Sequence, residues 1–388
     1  MTTRGAPPID LMRDERRRLL EQGGASSDTV DRVLQALGRP LPTDCPDPSH
    51  LPPGSEVFVP DWITCAVDAH RRGAVAALRD MAVELNFPIA AGLRDTPEYR
   101  RLCLDTDTAT AELPRGRTDG GPAWEAPERI RLFLHDTGAG LLPVIEAPAR
   151  ADFLILVRAL GHRNEPVPVP DSMGANFLNG YANRRRFLAV REARAAGVLH
   201  QEPPDSALWK DRLLLLSAGA YSGVPTATME VSETEWLHRS RTIRLHHESC
   251  HVMVRRLFPT LVFGIQDELV ADFAGLMEAA GTFRASEFLA FMGLEHFPSY
   301  RTGGRFENYL RRLDGHPEAI QVVQRLLVGA AQAVEAFFAC WDCTGFRRDK
   351  IRVLSALTYL PLEVLAGPEA ATRLSRLLPA PPHAQGAP

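Results

Sequence analysis

The sequence predicts an α+β chain, with a small mixed sheet followed by a mostly helical C-terminal half. Three observations predict it. Short apolar runs at 130–135, 141–145 and 211–217 are bounded by Asp, Gly and Ser, as strands are. A long helical stretch, 233–258, opens on a Ser-x-x-Glu box at Ser232 and closes before Pro259. After residue 285, apolar residues recur at helical spacing over 285–294, 304–313, 317–340, 349–359 and 368–378.

Composition bounds the class. With 45% hydrophobic and 24% charged residues the chain reads as globular. Its net charge of -4 gives a nucleic-acid partner no electrostatic support. No apolar run approaches a membrane span, and charged residues, not an apolar signal core, follow the N-terminus. A cytoplasmic protein with reduced thiols is expected. Four regions follow: a helical, Pro-rich extension over 1–60, an α+β part over 61–230, a helical part over 231–378 and a Pro/Ala-rich disordered tail over 379–388.

In chain order, 8–22 and 27–37 read as helices divided by Gly23-Gly24 and stopped by Gly38. Pro40, Pro42, Pro46, Pro48, Pro52, Pro53 and Pro60 mark an extended connector. Asp61 caps a helix expected from Trp62 to Leu85. Phe87 to Ala91 is a candidate strand, and Pro97 opens a helix to Leu104. Residues 105–127 are rich in Thr, Gly and Pro and read as a surface excursion. The runs 130–135 and 141–145 form a hairpin turning at Asp136, Gly138 and Gly140, and 150–160 is an amphipathic helix. Pro166, Pro168 and Pro170 then forbid a helix, leaving a long polar loop that leads into Gly180–Arg184 and a helix to Ala196. That loop is either a substrate-binding element using Asn176, Asn183 and Arg184 or a rigid connector with hydrogen-bonding caps.

The long helix contains His247-Glu248-Ser249-Cys250-His251, an H-E-x-x-H. Residues four apart share a helix face, so His247 and His251 can hold one metal ion. Glu248, one step round, can reach a water on that ion. An open zinc site takes three protein ligands. Sixteen residues separate His251 from Glu268, which begins an E-x-x-x-D ending at Asp272. Ala271, Ala274 and Gly275 are small and let this second helix, expected over 267–280, approach the first closely. Cys250 reads as a small core residue. Arg244, one turn before His247, either reaches a substrate carboxylate or an acid near the metal, or is a plain surface arginine.

The combination of H-E-x-x-H with E-x-x-x-D resembles the active site of the gluzincins, the thermolysin-like class of zinc peptidases. The resemblance is confined to residues 244–272. It implies a zincin-like fold, His247, His251 and Glu268 as metal ligands, and Glu248 as general base. Asp272 would orient one histidine, while Asp267, the rival third ligand, more naturally caps its helix. In zincins a strand before the metal helix lines the cleft, which would bring the segment after Leu216, and Tyr221 with it, to the site. A later His, Tyr or Arg would stabilise the oxyanion; His296, Tyr300, Arg301 and Arg305 are the candidates.

The expected function is zinc-dependent hydrolysis of an amide or peptide bond in a small amide or peptide substrate. Two histidines and a carboxylate also describe an open Fe2+ site, and a non-catalytic, metal-stabilised binding protein is a third reading. Glu248 favours hydrolysis over both. Cys340 and Cys343 form a C-x-x-C without a second ligand pair, and read as thiols at a helix end.

Overall fold

A computed structural model describes residues 9–38, 56–105, 120–198, 208–259, 261 and 264–378. The proline-rich stretch 40–53, Cys45, most of the 105–127 excursion and the tail 379–388 lie outside them. The architecture is α+β, with one mixed four-stranded sheet among the described residues. The chain divides into two compact units, one of residues 1–53, 137–139 and 220–388, the other of 54–136 and 140–219.

The first unit begins with helices α1 (Ile9–Gln22) and α2 (Ser27–Leu37). Ser26 caps α2, and Gly38 ends it in the left-handed conformation. The chain then builds the second unit. The helix expected over 62–85 is broken at Gly73, whose φ of 92° and ψ of 148° separate α3 (Val59–Arg72) from α4 (Ala74–Met81). A short 3-10 turn, Val83–Asn86, follows. Phe87 to Ala91 is not a strand. The Phe87 and Pro88 carbonyls accept from the Asn164 side chain, and Pro88 has no N–H to offer a sheet.

Strands β1 (Arg131–Asp136) and β2 (Leu141–Ala147) form the expected antiparallel hairpin, with Gly138 and Gly140 at positive φ in its turn. Helix α5 (Arg150–Leu156) runs on through a π-turn to Gly161. Strand β3 (Ala175–Ala182) is the element the sequence hid. Asn176 and Asn179 interrupt its apolar residues, and a bulge at Gly180 breaks its pairing between Asn179 and Tyr181. After α6 (Arg184–Ala195) comes β4 (Lys210–Ser217), antiparallel to β3 and parallel to β2. The order β1-β2-β4-β3 puts β4 inside the sheet, which is why Leu213–Leu216 are apolar without alternation. Asp211 is fully buried on β4, and it accepts from Trp62 Nε1 (2.8 Å), Asn183 Nδ2 (2.7 Å) and Arg186 Nε (3.2 Å). Three donors are what make a carboxylate tolerable there.

The chain returns to the first unit with α7 (Glu233–Leu257), capped by Ser232, and α8 (Ile265–Ala280), ended by Gly281 at φ 73°. Helices α9 (Ala285–Met292), α10 (Pro317–Phe338), α11 (Cys343–Tyr359) and α12 (Ala370–Leu377) complete it. The helix expected over 304–313 is one α-turn, Glu307–Leu310, and one 3-10 turn. Cys340 and Cys343 are free thiols beside the start of α11. No described helix is long and apolar enough to cross a membrane.

Helices α7 and α8 share the most extensive packing of any two elements. A Cβ on Gly275 would lie 2.8 Å from the Ile243 carbonyl oxygen and 2.9 Å from its Cγ2. Only glycine allows the two backbones this separation. Gly275→Val should therefore destabilise the chain by about 1–3 kcal/mol, read as a lowered chemical-denaturation midpoint. An unchanged midpoint would mean that the helices part at no cost.

Candidate metal centre

Helix α7 carries His247 and His251 on the face turned toward α8, and α8 presents Glu268 and Asp272 one turn apart. The two imidazoles meet edge to face, with Nε2 atoms 3.1 Å apart. Glu268 Oε2 lies 3.6 Å from His247 Nε2, and Oε1 lies 4.0 Å from His251 Nε2. These three side chains form a group that could hold a metal ion. Tetrahedral zinc with bonds of about 2.0–2.1 Å sets its ligand atoms roughly 3.3–3.4 Å apart. The observed separations bracket that value, so the donor set fits in chemistry and in spacing.

The other histidine nitrogen is engaged. His247 Nδ1 is 2.8 Å from Asp272 Oδ1, which leaves Nε2 for an ion. Asp272 is fully buried and also accepts from the Tyr221 hydroxyl at 2.7 Å. Arg305 binds the second oxygen of Asp272 through Nη2 and Glu268 Oε2 through Nη1 at 2.9 Å. Tyr309 donates to the other Glu268 oxygen at 2.9 Å. Both carboxylates are thus held by hydrogen bonds from side chains outside α7 and α8.

The electrostatics follow from burial and these partners. Burial alone would raise Glu268 and Asp272, but Arg305, aided by His247, holds both below the usual carboxylate range. Burial works to lower His247, and the Asp272 charge and hydrogen bond outweigh it, so its pKa is raised. For His251, burial and the neighbouring His247 outweigh the Glu268 charge and push it down to about 3. It is neutral near pH 7, as a ligand needs to be. Burial also raises Glu248. That carboxylate has no hydrogen bond or ion pair among the described residues. The side chains of His251 and Glu268 are 18% and 16% exposed, against 6% for His247 and none for Asp272. The cluster therefore opens on the His251–Glu268 side and is sealed behind Asp272.

The remaining sequence candidates fall in several places. Tyr221 is buried, its ring 5.9 Å from that of His247. Arg244 is buried rather than a plain surface arginine, over the Tyr221 ring at 5.7 Å. Arg305 has its guanidinium on Asp272, Glu268 and Tyr221. It follows a narrow neck, where a Cβ on Gly304 would come within 2.8 Å of both the Gly293 Cα and the Met292 oxygen. His296 and Tyr300 are exposed on the loop closed by that neck, and Arg301 pairs with Glu295 at 2.6 Å. Asp267 accepts from the Gly264 N–H at the start of α8. Asn176, Asn183 and Arg184 belong to the second unit. There Asn176 lies in β3, Asn183 caps α6, and Arg184 donates to the Leu102 and Arg101 carbonyls. Tyr309 was not among the sequence candidates. Its segment makes only a single α-turn, Glu307–Leu310, and carried no periodic signal.

A family model described as "Family of unknown function (DUF7005)" matches residues 18–369. The chain belongs to that family. No curated protein matches the chain, and no solved structure does.

Removing a ligand and removing its support should differ. His247→Ala, His251→Ala and Glu268→Ala should each lose most metal in equilibrium dialysis. Asp272→Asn should keep the fold and weaken metal binding by roughly 10- to 100-fold. Full metal in Glu268→Ala would remove Glu268 from the ligand set.

Proposed function

We propose that the chain is a zinc-dependent hydrolase acting on an amide or peptide bond of a small amide or peptide substrate. The observation that carries the reading is Glu248. A carboxylate without a hydrogen-bond or ion-pair partner among the described residues, raised by burial, stands one residue from His247 and feels the Glu268 charge. A structural metal site has no use for such a group. A general base does, because a base raised toward neutrality can both take and return a proton.

His247, His251 and Glu268 would hold the ion. When bound, zinc supplies Lewis acidity to the scissile carbonyl and lowers the pKa of a water toward about 7. Glu248 takes a proton from the attacking water and delivers it to the leaving nitrogen, so the same carboxyl serves both halves of the reaction. Asp272 keeps His247 in the tautomer with Nε2 free. Arg305 and Tyr309 fix the two oxygens of Glu268, which limits how far that ligand can swing during turnover. Tyr221 donates to Asp272 and acts through it.

Glu248→Gln preserves size and hydrogen bonding but cannot accept the proton. The variant should fold, bind metal as the parent does, and lose at least about a hundredfold in turnover against a substrate found by screening peptides and small amides. Parental turnover in the metal-loaded variant would sink the hydrolytic reading and favour the iron chemistry that two histidines and one carboxylate also allow.

A further inference from the structure

The second unit contains a cavity of about 300 Å³ that owes nothing to the metal cluster. Its lining brings together Glu84, Tyr181, Arg163, Arg184, Phe187 and Trp209. Glu84 is only 7% exposed and has no ion-pair partner among the described residues; it accepts from the Tyr181 hydroxyl at 2.9 Å and from its own backbone amide. Buried carboxylates of this kind are costly unless something compensates them. Here burial raises the carboxyl, while Arg163 and Arg184 act on it from a distance without touching it.

The arginines are equally uncommitted. Arg184 is buried and donates through Nε and Nη2 to backbone carbonyls, leaving Nη1 without an acceptor among the described residues. Its guanidinium lies over the Phe187 ring at 5.2 Å. Arg163 is exposed and has no hydrogen-bond or ion-pair partner among the described residues.

Arg163 is also held in place at a cost. Arg163 and Asn164 are consecutive non-glycine residues at φ 53° and 62°. Left-handed residues other than glycine persist only where the surroundings over-determine them, and they gather at ligand sites. Asn164 is fully buried: its amide donates to the Glu84, Phe87 and Pro88 carbonyls and accepts from the Tyr99 hydroxyl at 3.0 Å. That anchor fixes the backbone that presents Arg163 to the cavity. Phe187 and Trp209 pack edge to face at 5.4 Å and give it an apolar wall.

We propose that this cavity binds a free α-amino acid, with its carboxylate on Arg163 and Arg184, its ammonium on Glu84 and its side chain against Phe187 and Trp209. Two guanidiniums without a carboxylate partner among the described residues call for an anion, and a buried carboxyl without a cationic partner among them calls for a cation. A cavity of about 300 Å³ is at the small end of ligand sites, which suits an amino acid better than a nucleotide or a peptide. This assignment does not rest on the hydrolase reading.

Titration calorimetry of the full chain against each of the twenty L-amino acids tests it, followed by the des-amino and decarboxylated analogues of the best binder. Saturable one-to-one binding is expected, with both analogues at least about tenfold weaker. Arg163→Ala, a change at an exposed side chain, should weaken binding by a similar factor, and Glu84→Gln should abolish the preference for the amine. If Glu84→Gln fails to fold, the des-amino analogue carries that arm alone. The proposal is overturned if no amino acid binds at millimolar concentration. It is also overturned if Arg163→Ala binds as the parent does, or if the des-amino analogue binds equally well.

Discussion

The close approach of α7 to α8 is the constraint on which the His247–His251–Glu268 cluster depends. Gly275 allows it by offering no Cβ to the Ile243 carbonyl. Ile243 lies one turn before His247, and Gly275 one turn beyond Asp272. The crossing therefore fixes the distance between the histidine face of one helix and the carboxylate face of the other. Moving the helices apart by even an ångström would spread the donor atoms beyond the span of one ion. The small residues on α8 thus set a coordination distance as well as a packing density.

The second requirement is to bury charge without losing it. Asp272 is inaccessible to water, yet it stays ionised because Tyr221, His247 and Arg305 surround it. Arg305 is shared with Glu268, so one guanidinium compensates two carboxylates and leaves a net negative site for a dication. Glu248 is left out of this network. The difference in partners thus distinguishes three carboxylates within one cluster: Glu268 held by Arg305 and Tyr309, Asp272 held by Tyr221, His247 and Arg305, and Glu248 with no partner among the described residues.

The sequence carried the elements whose signals are local. Helix α7 was legible from its cap at Ser232 and its stop at Pro259, β4 from its leucine run, and the hairpin from its glycines. The histidine pair followed from four-residue spacing on one helix, and Glu268 beside it from the resemblance of the motif pair to gluzincins. Strand β3 was not legible, because an edge strand rich in Asn, with a bulge at Gly180, carries neither alternation nor an apolar run. The break at Gly73 was hidden because the apolar pattern continues on both sides of it. Arg305 was visible as a candidate, but its partners were not. A guanidinium's choice between substrate and two buried carboxylates depends on where the Gly293–Gly304 neck leaves it, and no periodicity encodes that neck. Tyr309 was missed for the same reason, since its segment makes only a single α-turn.

The neck has a consequence for how this protein can diversify. Residues 295–303 form a loop whose two ends are clasped together by bonds on either side of Arg305 in sequence, the Arg301 N–H to the Gly293 carbonyl at 2.7 Å and the Phe306 N–H to that of Met292 at 2.9 Å. Loops closed at the base behave as independent surface modules. The length and composition of this one are therefore mechanically uncoupled from the metal cluster a few residues away. It already presents Phe297 and Tyr300 to solvent. Insertions there would alter the surface the molecule presents while leaving the guanidinium on its two carboxylates.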